Sequence, residues 1–288
     1  MADEAHDDSG HSAHEQNRAS WNAVTAAHNS HKADQAQFLR DGGSTVFPDE
    51  LELLGDLHGR KLAHLQCNCG QDSLSLVRAG AEVTGVDISD EALTFARGLA
   101  RDTGLGATFV RSDVLDWLDT TDERFDLAFA SYGTIGWLDD LDRWSRGVQR
   151  ILVPGGRLVL LEFHPLAWSY AGDGGLAEPY FIPEPIVEAG GVNDYVSEAL
   201  APSGFVAGAE AFSNPEPCTS YQYTSADTIT SIARAGLRIE RVSEYPYSNG
   251  CEIFDGMERL PGNRFGMPKG VPSMPLMLGV TAKKDPEV

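Results

Sequence analysis

The segment KLAHLQCNCGQDSLSLVRAGAEVTGVDISDE, residues 61–91, constrains the fold more than any other. An apolar run at 61–66 leads into a turn ending on Gly70, then an amphipathic helix over 72–79, then a second apolar run at 82–86 that ends on Asp87. A strand, a helix and a second strand in this order form a parallel unit. An acid at the tip of the second strand of such a unit can accept hydrogen bonds from a ribose. The unit therefore points to an adenosine-containing ligand, and the turn decides which one. That turn, Leu65-Gln66-Cys67-Asn68-Cys69-Gly70-Gln71-Asp72, holds a single glycine.

The alternation continues downstream. Apolar runs at 107–111, 125–130 and 156–163 read as strands, with helices over 90–102 and 139–152 between them. Leu138, Leu141, Trp144, Val148, Ile151 and Leu152 recur at three and four, the spacing of one helical face. Pro154-Gly155-Gly156 then turns the chain into the next strand. A helix near 225–235, a strand at 237–245 and a last strand at 275–283 complete the pattern, which predicts a parallel sheet covered by helices on both faces.

Two stretches stand outside it. Residues 17–41 read as a helix stopped by Gly42-Gly43, with Trp21, Val24 and His28 on one face and Ala27, His31 and Phe38 near it. It is either a helix packed on the main domain or a lid whose Trp and His side chains close a pocket. Before it, residues 1–16 are polar and rich in histidine (His6, His11, His14) and read as a disordered, solvated tail. Residues 165–220 are rich in Gly, Pro and aromatics. A connection of that length is usually a lid or binding loop, although its aromatics could equally serve only to pack it on the sheet.

At 288 residues the chain suits one large α/β domain with insertions, or two small ones. A chain this long buries roughly 75% of its unfolded surface and needs no disulfide or metal staple. The net charge of −21, from 22 basic and 43 acidic residues, argues against nucleic acid and anionic membranes, whose phosphates need Lys and Arg. No apolar run approaches the ~18 residues of a membrane span, and MADEAHDDSGHSAHE lacks the basic-then-apolar order of a signal peptide. Cys67 and Cys69 lie two apart, but no second Cys/His pair follows at finger-like spacing. The expectation is no metal, reduced thiols and a cytoplasmic protein.

Five features in order resemble the class I S-adenosylmethionine (SAM) dependent methyltransferases: the strand-turn-helix at 62–77, VTGVDIS at 83–89, RSDVLD at 111–116, FDLAFASYG at 125–133 and LVPGGRLVLLEFHP at 152–165. PLMLGVTAKK at 275–284 resembles the last, antiparallel strand of that fold, and the likeness runs from about Arg18 to Lys284. The implied fold is a seven-stranded, mostly parallel Rossmann-like methyltransferase sheet with an antiparallel last strand and helices on both faces. A helical lid over 17–45 would precede a SAM-binding domain at 50–288, with 165–220 as an acceptor-binding insert. The first turn departs from the family's glycine-rich pattern and is closer to a subfamily with an LQC-x-x-G-Q-D turn. A pyrophosphate needs several close backbone N–H groups and hence small residues. SAM has no phosphate, so the departure counts against NAD or FAD more than against SAM.

The resemblance implies site residues position by position. Gly70 lets the backbone approach the methionine part of the cofactor, and Gln66, Cys67 and Asn68 line it. Asp87 takes the ribose hydroxyls and Ile88 packs on the adenine. Asp113 meets the adenine amino group, with Val114 beside it. Ala130 and Ser131 face the methionine part, with Tyr132 next to them, and Trp21 would cover the cofactor from the lid. Both acids have a plainer reading as helix caps, but Ser89 or Asp90 fits the cap after Asp87 better. His164, at the sheet's carboxyl edge, is the first candidate for a general base, with Tyr132 the second catalytic candidate. A structural hydrogen-bonding role for His164 is an even alternative. His28, His31, Trp168, Tyr221 and Tyr223 are candidate acceptor-binding residues. His64 reads as structural.

The expected function is methyl transfer to a small-molecule acceptor by in-line displacement, with S-adenosyl-L-homocysteine as product. The aromatic insert suits a planar aromatic or amine natural product such as an indole or phenol, methylated at C, N or O, and hence secondary metabolism. No N-P-P-Y or D-P-P-Y follows the fourth strand, which counts against DNA and protein amides. A homodimer is compatible with this reading. The alternatives are a SAM enzyme that cyclises the cofactor's aminobutyl chain, a non-catalytic SAM-binding regulatory protein, and an NAD-dependent oxidoreductase.

Overall fold

The computed structural model describes residues 8–171, 174–209 and 212–286, with side chains from residue 12 onward. Seven strands form the central sheet in the order β3-β2-β1-β4-β5-β12-β8. They are β1 (Lys61–Leu65), β2 (Glu82–Asp87), β3 (Thr108–Arg111), β4 (Phe125–Ser131), β5 (Leu152–Phe163), β8 (Leu237–Tyr245) and β12 (Met277–Lys284). β1 to β5 run parallel, and β12 is antiparallel to both of its neighbours, β5 and β8. The strand order reverses between β1 and β4, and in open α/β sheets the crevice outside the carboxyl ends at such a point is where ligands bind.

The alternation of β-branched and aliphatic residues fills both faces. On one, α6 (Val114–Thr120), α7 (Leu141–Ile151) and α8 (Ser225–Arg234) cover Leu158 and Leu160 of β5, with Trp144 fully buried among them. On the other, α3 (Pro48–Leu54) and α4 (Gln71–Arg78) cover Val159, Leu161 and Phe163, while α5 (Asp90–Thr103) packs with Phe109 of β3. Burial of each such large apolar side chain is worth about 1.5–3 kcal/mol.

The N-terminal region differs from expectation. One helix over 17–41 is replaced by α1 (Asp8–Ser30) and α2 (Gln35–Arg40). The break falls where Asp34 caps α2, accepting the Gln37 N–H at 2.9 Å. Helix α1 also starts within the expected solvated tail, because residues from His14 onward find tertiary partners; residues 1–7, including His6, and the side chain of His11 lie outside the described residues. Two helices went unread. Pro48 supplies the fixed φ that starts α3, and Asp113 caps α6.

The insert is largely irregular apart from the two-stranded ribbon of β6 (Ile186–Glu188) and β7 (Cys218–Ser220). A second unforeseen unit follows β8: β9 (Tyr247–Asn249), β10 (Glu258–Leu260) and β11 (Arg264–Gly266) form a small antiparallel sheet. Phe254, Met257, Phe265 and Met267 close its core onto Ala167 and Leu276.

Candidate functional site

The turn after β1 is wound by left-handed residues: Gln66 at φ 54°, Asn68 at 47° and Gly70 at 74°. Its end is fixed by the Gly70 N–H donating to the Cys67 carbonyl at 3.0 Å. Asp87 binds this turn to β2. One carboxylate oxygen accepts the Asn68 N–H at 2.7 Å, the other the Ser89 N–H at 2.8 Å. Burial raises its pKa, and these backbone donors oppose the rise. Each oxygen keeps a lone pair. Ser89, not Asp87, caps α5 by accepting the Ala92 N–H at 3.0 Å.

Gln66 donates from Nε2 to the Thr134 carbonyl at 2.8 Å, and its buried Oε1 has no partner. An unpartnered buried acceptor costs about 1–3 kcal/mol. Here it stands between the ends of β1 and β4, where an ammonium or amide donor of a ligand would satisfy it. Together with Asp87 this fits a cofactor that has a ribose and an amino-acid end.

Other expected contacts are corrected. Cys67 packs inward among Leu74, Leu93 and Phe109, and burial pushes its thiol pKa up. Cys69 is also buried, with Asn29 Nδ2 at 3.0 Å from its sulfur. A Cβ on Gly70 would lie 2.8 Å from Ala96 and Phe109, so packing and φ both demand this glycine. Val114 and Ala130 belong to the core under α7. Ile88 stays part-exposed, and Ser131 ends β4 with 9% exposure.

Asp113 has two duties. Oδ1 caps α6 through the Leu115 N–H at 2.7 Å, and Oδ2 lies 2.5 Å from His14 Nδ1. The plainer cap reading therefore holds for one oxygen. His14, read as tail, is buried against Asp113, a contact its polar surroundings concealed.

The loop after β4 is held from β5. Glu162 accepts the N–H groups of Gly133, of Thr134 at 2.9 Å and of Ile135 at 3.3 Å, and the Thr134 hydroxyl at 3.2 Å. Burial raises its pKa against the pull of those donors. Beside this loop Tyr132 adopts φ 50°, and its ring lies 6.4 Å from Phe47 and 5.5 Å from Phe163. Its hydroxyl accepts from Asn249 Nδ2 at 2.9 Å, next to the fully buried Glu50. Burial, with Asp72 and Asp49 nearby, pushes Glu50 well above the usual carboxylate range. Asn249 and Arg264 both hold Asp49, at 3.1 and 2.6 Å, which ties the small sheet to α3.

His164 is engaged by protein partners. Its Nδ1 accepts the Leu166 N–H at 3.2 Å, and Nε2 lies 3.2 Å from Ser225 Oγ and 3.3 Å from Glu244. Nδ1 thus caps the turn after β5 while Nε2 ties it to α8 and β8, and burial lowers the pKa. The even alternative, a structural hydrogen-bonding histidine, describes this geometry.

The histidines at the end of α1 and just after it bind the insert. His28 Nε2 donates to the Asn193 carbonyl at 2.9 Å, and burial lowers its pKa to about 4, so it is neutral. His31 meets Asp194 at 2.8 Å and stacks on Phe205. Trp21 stands edge-on to Trp137 at 5.4 Å. Tyr221 donates its N–H to the Gly136 carbonyl at 2.7 Å, and the Tyr223 hydroxyl donates to the Leu138 carbonyl at 2.8 Å, so these two line the insert's base. Trp168 is 47% exposed and edge-on to Phe163. His64 is buried on Ser73 at 2.8 Å, a structural contact.

A five-stranded parallel run reversing at β1/β4, with an antiparallel β12 between β5 and β8, is the Rossmann-like fold of the SAM-dependent methyltransferases. Residues 63–156 match the family model for a methyltransferase domain. Over 86 residues the chain is 38% identical to demethylmenaquinone methyltransferase of Thermus thermophilus, covering 30% of this chain and 38% of that protein. Over 122 residues it is 29% identical to a ubiquinone biosynthesis O-methyltransferase of Alkalilimnicola ehrlichii, covering 42% and 49%. The chain thus spans less than half the length of these curated relatives. A solved S-adenosylmethionine dependent methyltransferase from Mesorhizobium loti superposes with TM-score 0.54 at 22% identity, covering 85% of this chain and 99% of that one.

Proposed function

We propose that the chain is an S-adenosylmethionine-dependent methyltransferase acting on a small-molecule acceptor. The observation that carries this reading is the pairing of Asp87 with the left-handed turn at Gln66–Gly70. The carboxylate keeps lone pairs for two ribose hydroxyls, and Gln66 Oε1 supplies an acceptor for the amino-acid end. Bound there, the cofactor supplies an activated methyl group on a sulfonium. The chain's own work is then alignment and exclusion of water, and orientation alone can lower a barrier by roughly 7–11 kcal/mol.

Tyr132, Phe47, Phe163 and Trp168 form an aromatic wall at the ends of β4 and β5. We assign the acceptor to this wall. A planar ring, methylated at carbon, nitrogen or oxygen, suits it. The relatives named for demethylmenaquinone and ubiquinone biosynthesis agree with a ring-bearing small molecule. The net charge of −21 agrees with an acceptor that is not a polyanion. His164, with both ring nitrogens engaged, is not assigned the proton transfer. The Tyr132 hydroxyl is engaged as well, by Asn249 at 2.9 Å, and burial pushes its pKa well above the usual phenol range, so it lines the acceptor wall without being assigned the proton transfer.

The test is SAM binding by calorimetry, followed by incubation with indoles, phenols, hydroquinones and amines read by mass. Expected are a methylated product and S-adenosylhomocysteine. Methylthioadenosine in place of these products would select cyclisation of the aminobutyl chain. Binding without any product across the panel would select a regulatory role, and no SAM binding would end the proposal.

A further inference from the structure

Helix α1 lies between the sheet's carboxyl edge and the insert. His14, Arg18 and Asn22 follow one another at four-residue spacing and so share a face. Arg18 reaches Asp90 at 2.8 Å, and Asn22 accepts from Ser89 Oγ at 2.7 Å. The Arg18–Asp90 pair is largely exposed, and such pairs contribute little. His14 is different. It is 7% exposed and meets two carboxylates from two separate loops: Asp113 Oδ2 at 2.5 Å and Asp139 Oδ1 at 3.3 Å.

A neighbouring face of α1, with the turn after it, is fastened to the insert. Asn17 and Thr219 exchange hydrogen bonds at 2.8 and 2.7 Å, Ser20 Oγ accepts the Val192 N–H at 2.9 Å, and His28 and His31 hold Asn193 and Asp194. Helix and insert are therefore fastened to each other, and the buried His14 links them to the sheet edge.

We propose that His14, as an imidazolium bridging Asp113 and Asp139, is the clasp that closes α1 and the insert over the adenosine side of the site. This rests on the cofactor reading above, in which Asp113 borders the adenine. Asp113 Oδ1 is spent on α6, so a ligand amino group shares the carboxylate with His14, and closure and ligand seating become linked. His14 is a positioning residue and does not touch the reacting atoms.

The groups around the clasp favour the charged form. Besides Asp113 and Asp139, Glu15 and Arg18 flank it on α1, Arg111 of β3 and Asp90 of α5 pair with one another, and Tyr223 approaches Asp139. Burial alone would pull the His14 pKa down. Its hydrogen bond to Asp113 and the nearby charges of Asp113 and Asp139 outweigh that and push it up to about 9. With an open-state value near 6.5, the clasp is complete below that pH and is lost as pH rises through about 9. At the acid end it persists until Asp113 and Asp139, both held below the usual carboxylate range, take up protons.

The experiment follows Trp21 fluorescence, assigned with W21F, from pH 6 to 10.5 in the full chain without ligand, alongside SAM affinity at pH 7 and 10. The wild type is expected to show a transition near pH 9 as Trp21 leaves Trp137, and to lose SAM affinity about tenfold over the same range. H14Q, which keeps a donor but no charge, should lack the transition and bind about tenfold more weakly at pH 7. D139N should move the midpoint down. A wild-type transition and a wild-type affinity profile retained in H14Q overturn the clasp. A transition that disappears in H14Q with no SAM binding by either protein leaves the clasp standing and removes the cofactor reading.

Discussion

Asp87 receives the backbone N–H of Asn68 at 2.7 Å, so the tip of β2 and the turn after β1 are one rigid unit. Replacing Asp87 with Ala removes this tie and both lone pairs offered to a ribose. A hydrogen bond to a charged group is worth about 1.5–3 kcal/mol. SAM affinity should fall by about 100-fold or more in calorimetry. An unchanged dissociation constant would sink the ribose assignment.

Gly70 tests the turn from inside. Ala there would combine φ 74° with a Cβ 2.8 Å from Ala96 and Phe109. Left-handed strain and overpacking each cost about 1–3 kcal/mol. Gly70→Ala should lower the denaturation midpoint clearly; a wild-type melting temperature would show the turn to be softer than its packing implies.

Glu162 holds three consecutive N–H groups of the loop after β4. Glu162→Ala should destabilise the fold by about 1–3 kcal/mol for each buried N–H it leaves unpaired. Glu162→Gln, which keeps an acceptor, should cost less. Urea unfolding of both variants measures the difference, and equal losses would deny the acceptor role.

His164→Ala should reduce stability by roughly 1–2 kcal/mol, through a lost cap and the contacts to Ser225 and Glu244. Turnover of the folded variant should stay near wild type. A large fall in kcat with unchanged stability would return His164 to the catalytic centre.

His28 is neutral in the fold, with a pKa near 4 set by burial. Unfolded, it titrates near 6.5. Its contribution is present above about 6.5 and is lost progressively as pH falls toward 4. That contribution is worth roughly 2–3 kcal/mol. Melting temperature should drop across this window, and His28→Gln should flatten that part of the curve.

The relation of sequence to structure is clearest where it fails. Strands β1 to β5 and helices α5, α7 and α8 were legible because their apolar residues repeat at two or at three and four, and such patterns are local. The small sheet at Tyr247–Gly266 was not, because its strands are three residues each and depend on Phe265 and Met267 packing against Ala167 and Leu276. Asp113 was legible as a cap because caps are read from neighbours. His14 was not, because its partners lie 99 and 125 residues away.

The amino-acid order by itself determined the layered α/β architecture and the position of Asp87 at the tip of β2, since periodicity and turn chemistry act over a few residues; the antiparallel last strand was legible only through the family resemblance. Only the tertiary structure decided which polar side chains are held by protein partners. Tertiary contacts turned His164, Cys67, His28 and His31 toward protein partners and brought His14 from a polar tail onto two buried carboxylates. Burial and hydrogen-bond satisfaction are set by what the fold brings together, and the price of leaving a polar group unpaired selects among the orientations that local sequence allows.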